Sequence, residues 1–153
     1  MGRVASRPRF VVGYDGSPSS LAAVEEAARR AGADGQLLVV HAYEPPSEAL
    51  GWPLYESAAR DAANGAQQLV EQLRSLPALE PVQWTSEVIA GPTAEVIVAA
   101  ARNHDADAIY VGSRGAGRAS ALLGSVAHDV LHRTDRPVTV ITERAAERAT
   151  AAA

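Results

Sequence analysis

Phe10-Val11-Val12-Gly13-Tyr14 runs directly into Asp15-Gly16-Ser17-Pro18, and this junction sets the reading of the whole chain. A short unbroken apolar run is the pattern of a strand buried on both faces. Asp15-Gly16 stops it. Ser17 then stands as a helix N-cap ahead of Pro18 at the first helical position, where the missing N–H costs nothing. Leu21, Val24, Ala28 and Ala31 recur at helical spacing, and Gly32 supplies the stop.

The same alternation repeats to the end of the chain. Leu37-Leu38-Val39-Val40 is a second buried strand running into His41-Ala42. The stretch from Glu44 to Pro53, with its prolines and Gly51, reads as a loop. Ala62, Ala66, Leu69, Val70 and Leu73 stripe a second helix that ends before Pro77. Gln83, Thr85 and Glu87 alternate with less polar neighbours between Val82 and Ala90, which predicts a wetter strand at a sheet edge. Gly91-Pro92-Thr93 opens a third helix, and Ala108-Ile109-Tyr110-Val111 is the fourth strand. Ser125 to Arg133 is a fourth helix, with Val126, Val130 and Leu131 expected inward. Val138-Thr139-Val140-Ile141 is the last strand. Strands alternating with helices imply right-handed crossovers and a parallel sheet. The expected fold is a doubly wound, Rossmann-like α/β sheet of five parallel strands with helices on both faces. Such sheets bind ligands at the carboxyl ends of their strands.

At 153 residues the chain is expected to form a single domain, with residues 1–8 and 143–153 as flexible tails, the second because it shows no apolar stripe. There is no cysteine, so disulfide frameworks, cysteine-zinc sites and cysteine nucleophiles are excluded. All 14 basic residues are arginine, which excludes Schiff-base chemistry and a phosphate-binding lysine. A net charge of −4 argues against a dedicated nucleic-acid binder. No apolar run is long enough to cross a bilayer, so neither membrane nor nucleic acid is expected as a partner, and the expected location is the cytoplasm.

After the fourth strand comes Gly112-Ser113-Arg114-Gly115-Ala116-Gly117-Arg118, and then Gly124-Ser125 at the start of a helix. Glycines let a backbone approach a ligand closely and turn its N–H groups toward one point. A helix N-terminus adds free donors and partial positive charge, so the pair makes a site for an anion such as phosphate. The plainer account is a tight turn followed by an ordinary helix cap. Two familiar fingerprints fail. The dinucleotide motif needs its glycines after the first strand, and Gly115-Ala116-Gly117 lacks the third. A P-loop needs Lys where Arg118 stands and Ser or Thr where Ala119 stands.

Val12-Gly13-Tyr14-Asp15-Gly16-Ser17, Val40-His41-Ala42, Gly91-Pro92, Val111-Gly112-Ser113-Arg114-Gly115, Gly124-Ser125-Val126 and Arg136-Pro137-Val138-Thr139-Val140-Ile141 occur in this order on this pattern. From about Arg9 to Ile141 the chain resembles the universal stress proteins. The resemblance implies the fold read above, a homodimer, and in some members ATP held by Gly, two residues, Gly, nine residues, then Gly followed by Ser or Thr. Here Gly112 and Gly115 are followed by only eight residues before Gly124-Ser125, one fewer than the pattern. Gly117 gives the shortened loop freedom to adapt.

By resemblance, Asp15 sits at the adenine–ribose end of the site with Gly13 and Tyr14 beside it, and the Ala42 backbone meets the adenine. Val111 and Gly112 lie near the ribose. Gly115, Gly124, Ser125 and Val126 hold the phosphates, and Arg114 and Arg118 either add charge-assisted contacts or stand as solvated loop charges. Asp15 also has a plain reading, as a turn former ahead of Gly16. The implied cofactor is ATP with Mg²⁺, and the implied partner is a second copy paired through the Pro137–Ile141 edge strand.

Catalytic constellations are thin. Ser125, His128 and Asp129 are too close along one helix for the aspartate to orient the histidine, and no nucleophile elbow surrounds Ser125. His128 and His132 suit a metal pair, but no third ligand of matching spacing accompanies them, so they are expected to be surface histidines with no metal site. His104-Asp105 reads as a solvated turn, and His41 either touches the ligand or is a satisfied core histidine. The expected function is therefore an ATP-binding stress-response protein acting as a nucleotide-dependent sensor or interaction module. A nucleotide-free homodimeric module of the same fold is the alternative. A slow ATP hydrolase or nucleotidyl-transfer enzyme is the third reading.

Overall fold

In the computed structural model of this chain, residues 6–113 and 123–152 are described. The strands are β1 (Arg9–Gly13), β2 (Gln36–Tyr43), β3 (Gln83–Ala90), β4 (Ala108–Gly112) and β5 (Val138–Ile141). They form one parallel sheet in the order β3-β2-β1-β4-β5. The helices are α1 (Pro18–Ala31), α2 (Leu54–Glu71), α3 (Thr93–Asn103), α4 (Ser125–Arg133) and α5 (Glu143–Ala151). This is the doubly wound α/β architecture expected. The winding moves outward from β1 to β3, returns to β4 on the other side of β1, and ends at β5. The order of strands reverses between β1 and β4, and a crevice opens at that point.

The sheet is buried on both faces, as its apolar runs require. Val12, Val24, Ala27, Leu37, Val39 and Val70 pack on the side of α1 and α2. Val11, Val40, Ile97, Ala101, Ile109 and Val130 pack on the side of α3 and α4. Each fully buried Val, Leu or Ile side chain contributes about 1.5–3 kcal/mol of transfer free energy, so the aliphatic residues suffice without aromatic bulk. The β1–β2 ladder ends at Gly13 opposite Val40, whereas β2 and β3 continue through Tyr43 opposite Ala90. β3 lies at the sheet edge and is largely exposed, as its alternation predicted.

Three local expectations need correction. Helix α2 begins at Leu54, well before the apolar stripe at Ala62, because only Ala66 and Val70 of this helix are buried and its first turns carry no stripe to read. In α4 the inward residues are Ala127 and Val130, while Val126 and Leu131 are 37% and 45% exposed. The helix packs against the alanine-rich α3, and Ala127 allows the close approach that a larger residue would prevent. The segment from Glu143, expected to be a flexible tail, is helix α5. The Thr142 hydroxyl accepts the Ala145 N–H at 3.2 Å, and Ala146 is buried in the groove formed with Pro18, Leu21 and Ala22 of α1. Ala, Glu and Arg are strong helix formers and do not need a broad stripe once the first turn is capped. At the other end residues 1–5 lie outside the described set, and the Pro8 carbonyl accepts the Gln36 N–H at 2.8 Å.

Candidate functional site

The β1–α1 turn is built by short hydrogen bonds around one carboxylate. Oδ1 of Asp15 accepts the Ser17 N–H at 2.9 Å and the Ser20 hydroxyl at 2.7 Å. The first bond is an Asx turn, the local arrangement that makes aspartate a turn former. Ser17 caps α1, its hydroxyl accepting the Ser20 N–H at 3.2 Å. Asp15 nonetheless remains exposed, and its Oδ2 takes part in neither Asp15 bond. The turn thus uses one oxygen of the side chain, Oδ1.

Tyr14 continues β1 past its last ladder residue, its N–H donating to the Val40 carbonyl at 2.9 Å. Burial, and then the neighbouring Asp15 charge, push its phenol above the ordinary value, so it stays neutral. His41 Nδ1 lies 2.7 Å from the Tyr14 carbonyl, so this nitrogen carries the proton and donates it. Through this bond His41 braces the turn, and it is not among the residues that line the adjacent cavity.

Across the crevice, β4 ends at Gly112. A Cβ there would lie 2.5 Å from Ser19 Oγ and 2.7 Å from the Ser20 backbone nitrogen, so glycine is what lets the end of β4 meet the start of α1. The Ser113 N–H donates to the Ile141 carbonyl at 2.7 Å, and the Ser113 carbonyl accepts the Gly124 N–H at 2.6 Å. These bonds hold Ser113 and Gly124 together beside the crevice. Arg114, Gly115, Gly117 and Arg118 themselves lie outside the described residues.

Gly124 is the N-cap of α4 and offers no side chain to close it. The first N–H to bond back is that of His128, to the Gly124 carbonyl at 3.0 Å. The preceding N–H groups, on Ser125, Val126 and Ala127, have no backbone partner among the described residues, as is usual at a helix start. α3 likewise begins after Pro92 without a side-chain cap. By contrast, α1 is closed by Ser17. Two of the three helix starts around the crevice thus present open donors and partial positive charge.

Between these elements lies a cavity of about 200 Å³ lined by Gly13, Tyr14, Asp15, Ser20, Ala42, Thr93, Ile97, Val111, Gly112, Ser113 and Gly124 through Ala127. It brings together nine of the residues singled out from the sequence: Gly13, Tyr14, Asp15, Ala42, Val111, Gly112, Gly124, Ser125 and Val126. Sequence reasoning missed Ser20, Thr93, Ile97, Ser113 and Ala127. Ser20 was within reach as the third residue after the Ser17 cap. Ile97 faces the cavity only because α3 leans over the end of β1, which no spacing reveals.

A larger cleft of about 520 Å³ opens at the opposite end of the sheet, among Arg9, Gln36, Gln83 and the Asn103–Ala106 turn. There the C-terminus of α3 presents carbonyls, the wrong polarity for an anion. The switch-point cavity is the better candidate despite its smaller size. Among the described residues no group of three or more His, Asp or Glu is placed to hold a metal ion. Nor does any hydrogen bond join Ser125, His128 and Asp129. No described helix is long and apolar enough to cross a membrane.

The model of the universal stress protein family matches residues 7–142. The Thermus aquaticus "universal stress protein in QAH/OAS sulfhydrylase 3'region" is 34% identical over 134 residues, 86% of this chain and 96% of that protein. Universal stress protein UspA from Lactobacillus plantarum shares the fold with a TM-score of 0.76 at 22% identity, over 90% of this chain and 99% of the other. A universal stress protein solved in complex with cAMP gives a TM-score of 0.61 at 26% identity, over 90% and 98%.

Proposed function

Because the chain belongs to the universal stress protein family, we propose that its switch-point cavity binds an adenine nucleotide, with ATP as the expected ligand, and that the protein acts as a nucleotide-dependent sensor or interaction module. The observation that carries this reading is that Asp15 and the uncapped N-terminus of α4 line one cavity. An adenosine fits between a carboxylate that accepts hydrogen bonds and the backbone at Ala42. Its phosphates then fall toward the donors of Ser125, Val126 and Ala127. The relative holding cAMP supports an adenine ligand.

The residues present suit the nucleotide in two respects. Gly13 and Gly112 line the crevice with backbone alone, and the Ser125 hydroxyl adds a donor at the phosphate end. Mg²⁺ is a hard cation usually held by one or two carboxylates together with the substrate phosphates, so it is expected to arrive with ATP rather than in a cage of protein ligands. In this reading Arg114 and Gly115 extend the phosphate contacts along the loop.

Calorimetric titration tests it. Wild type is expected to bind ATP saturably, and Gly124→Val to bind at least about tenfold more weakly, because a branched side chain at the cap blocks the approach to the helix donors. Absence of heat and of any thermal shift at millimolar ATP would leave the nucleotide-free module as the standing alternative. Equal binding by the variant would move the phosphate site elsewhere.

The protein is also proposed to pair through β5. Pro137 and Ile141 direct their carbonyls to β4, accepting the Ile109 N–H at 2.9 Å and the Ser113 N–H at 2.7 Å. The backbone groups of Val138 and Val140 therefore face away from the sheet, at an edge open to a second strand. Val138 and Val140 side chains pack against the core, so a charged substitution there would injure the monomer too. Val140→Pro removes an outward N–H and leaves the β4 ladder donors in place. Light scattering is expected to show a wild-type dimer and a Val140→Pro monomer. A monomeric wild type at micromolar concentration refutes the pairing.

A further inference from the structure

The four histidines divide into two pairs with different surroundings. His41 donates to the Tyr14 carbonyl, and His104 Nε2 sits 2.8 Å from Glu87 Oε1. The rings of His128 and His132, both exposed, have no hydrogen bond or ion pair among the described residues. What they have is each other. Four residues apart on α4, their side chains share one helix face, and their ring centroids stand 4.4 Å apart at an interplanar angle of 57°.

We propose that His128 and His132 form a two-imidazole site for a borderline divalent transition metal, Zn²⁺ or Ni²⁺. Imidazole nitrogen is the preferred protein donor for these ions once thiolate is absent, and this chain has no cysteine to compete. An i, i+4 histidine pair on a helix presents two nitrogens to one ion without rearranging the backbone. The helix has already brought the two rings together, and neither must give up a partner among the described residues to ligate. Asp129 is adjacent in sequence and lies about 100° around the helix from His128, and Glu95 is occupied by Arg133 at 3.3 Å, so the described residues supply two ligands and water fills the other positions. A site of this kind is exchangeable and open, as distinct from the closed tetrahedral sites of structural zinc. It lies on the outer face of α4 and is independent of the nucleotide reading.

The test uses the full chain without tags, in a buffer that does not chelate. Titration with Zn²⁺ or Ni²⁺ alone is expected to show one ion per chain and to raise Tm by a few degrees at saturating metal. Mg²⁺, which prefers oxygen ligands, is expected to give neither effect. His128→Gln and His132→Gln should each weaken binding at least about tenfold, the lower end of losses seen at perturbed metal sites. His104→Gln should leave binding unchanged. Both α4 variants alter exposed side chains, and circular dichroism confirms that they fold. Binding that survives in both variants, binding lost equally in His104→Gln, or no saturable binding at millimolar metal overturns the proposal.

Discussion

Gly112→Val is expected to destabilise the protein by about 3 kcal/mol, at the upper end of the usual range for overpacking a closed site. The Cβ alone would fall 2.5 Å from Ser19 Oγ, 2.7 Å from the Ser20 nitrogen and 2.8 Å from the Ser19 carbonyl carbon. Two of these three atoms are backbone, and they belong to the first turn of a helix capped by Ser17 and tied to Asp15. They cannot swing aside as the end of a side chain would. In a chain of this length the loss corresponds to a Tm lower by about 6–12 °C, measurable by calorimetry. Gly13→Ala is the internal control. There the new Cβ would meet Ile97 Cδ1 at 2.6 Å, the far end of a flexible side chain, so the cost is expected to be about 1 kcal/mol. A Gly112→Val protein as stable as wild type would mean that the end of β4 and the start of α1 separate easily, and that the crevice is less rigid than its hydrogen bonds imply.

That contrast bears on what the sequence made legible. The β1–α1 and β4–α4 junctions could be read because each couples an apolar run to punctuation with one physical meaning: Asp15-Gly16, Ser17-Pro18, Gly124-Ser125. The start of α1 at Pro18 and both ends of α4 follow directly. The edge position of β3 followed from Gln83, Thr85 and Glu87. The early turns of α2 and the whole of α5 were not legible, because α2 buries nothing before Ala66 and α5 buries Ala146 alone among its described side chains, which leaves no periodic stripe. The inward face of α4 was misjudged for a related reason. Hydrophobicity favoured Val126 and Leu131, whereas packing against α3 favoured the smaller Ala127. At the site, the residues on strand ends and helix starts were found from their motifs. Those reached only by tertiary leaning, Ile97 and Thr93, were not.

Asp15→Asn is expected to lower adenine-nucleotide affinity about ten- to a hundredfold, about 1.4–2.7 kcal/mol, while leaving Tm within about 2 °C of wild type. The two oxygens have separate tasks. Oδ1 accepts from the Ser17 N–H and the Ser20 hydroxyl, and the asparagine carbonyl oxygen can keep both bonds. Oδ2 is the group proposed to accept from the nucleoside, and asparagine puts an NH₂ donor there. A donor facing the donor groups of a ribose or an adenine amine loses the bond and adds a desolvated mismatch. Asp15→Ala, by contrast, removes the turn's acceptor as well, so it should lose stability together with affinity. The pair of variants therefore separates the turn role of Asp15 from its ligand role. Titration with ATP and a thermal melt on the same samples make the measurement. If Asp15→Asn binds ATP as tightly as wild type while Asp15→Ala is destabilised, Asp15 serves the turn alone, and recognition of the nucleoside must rest on the backbone around Ala42 and Val111.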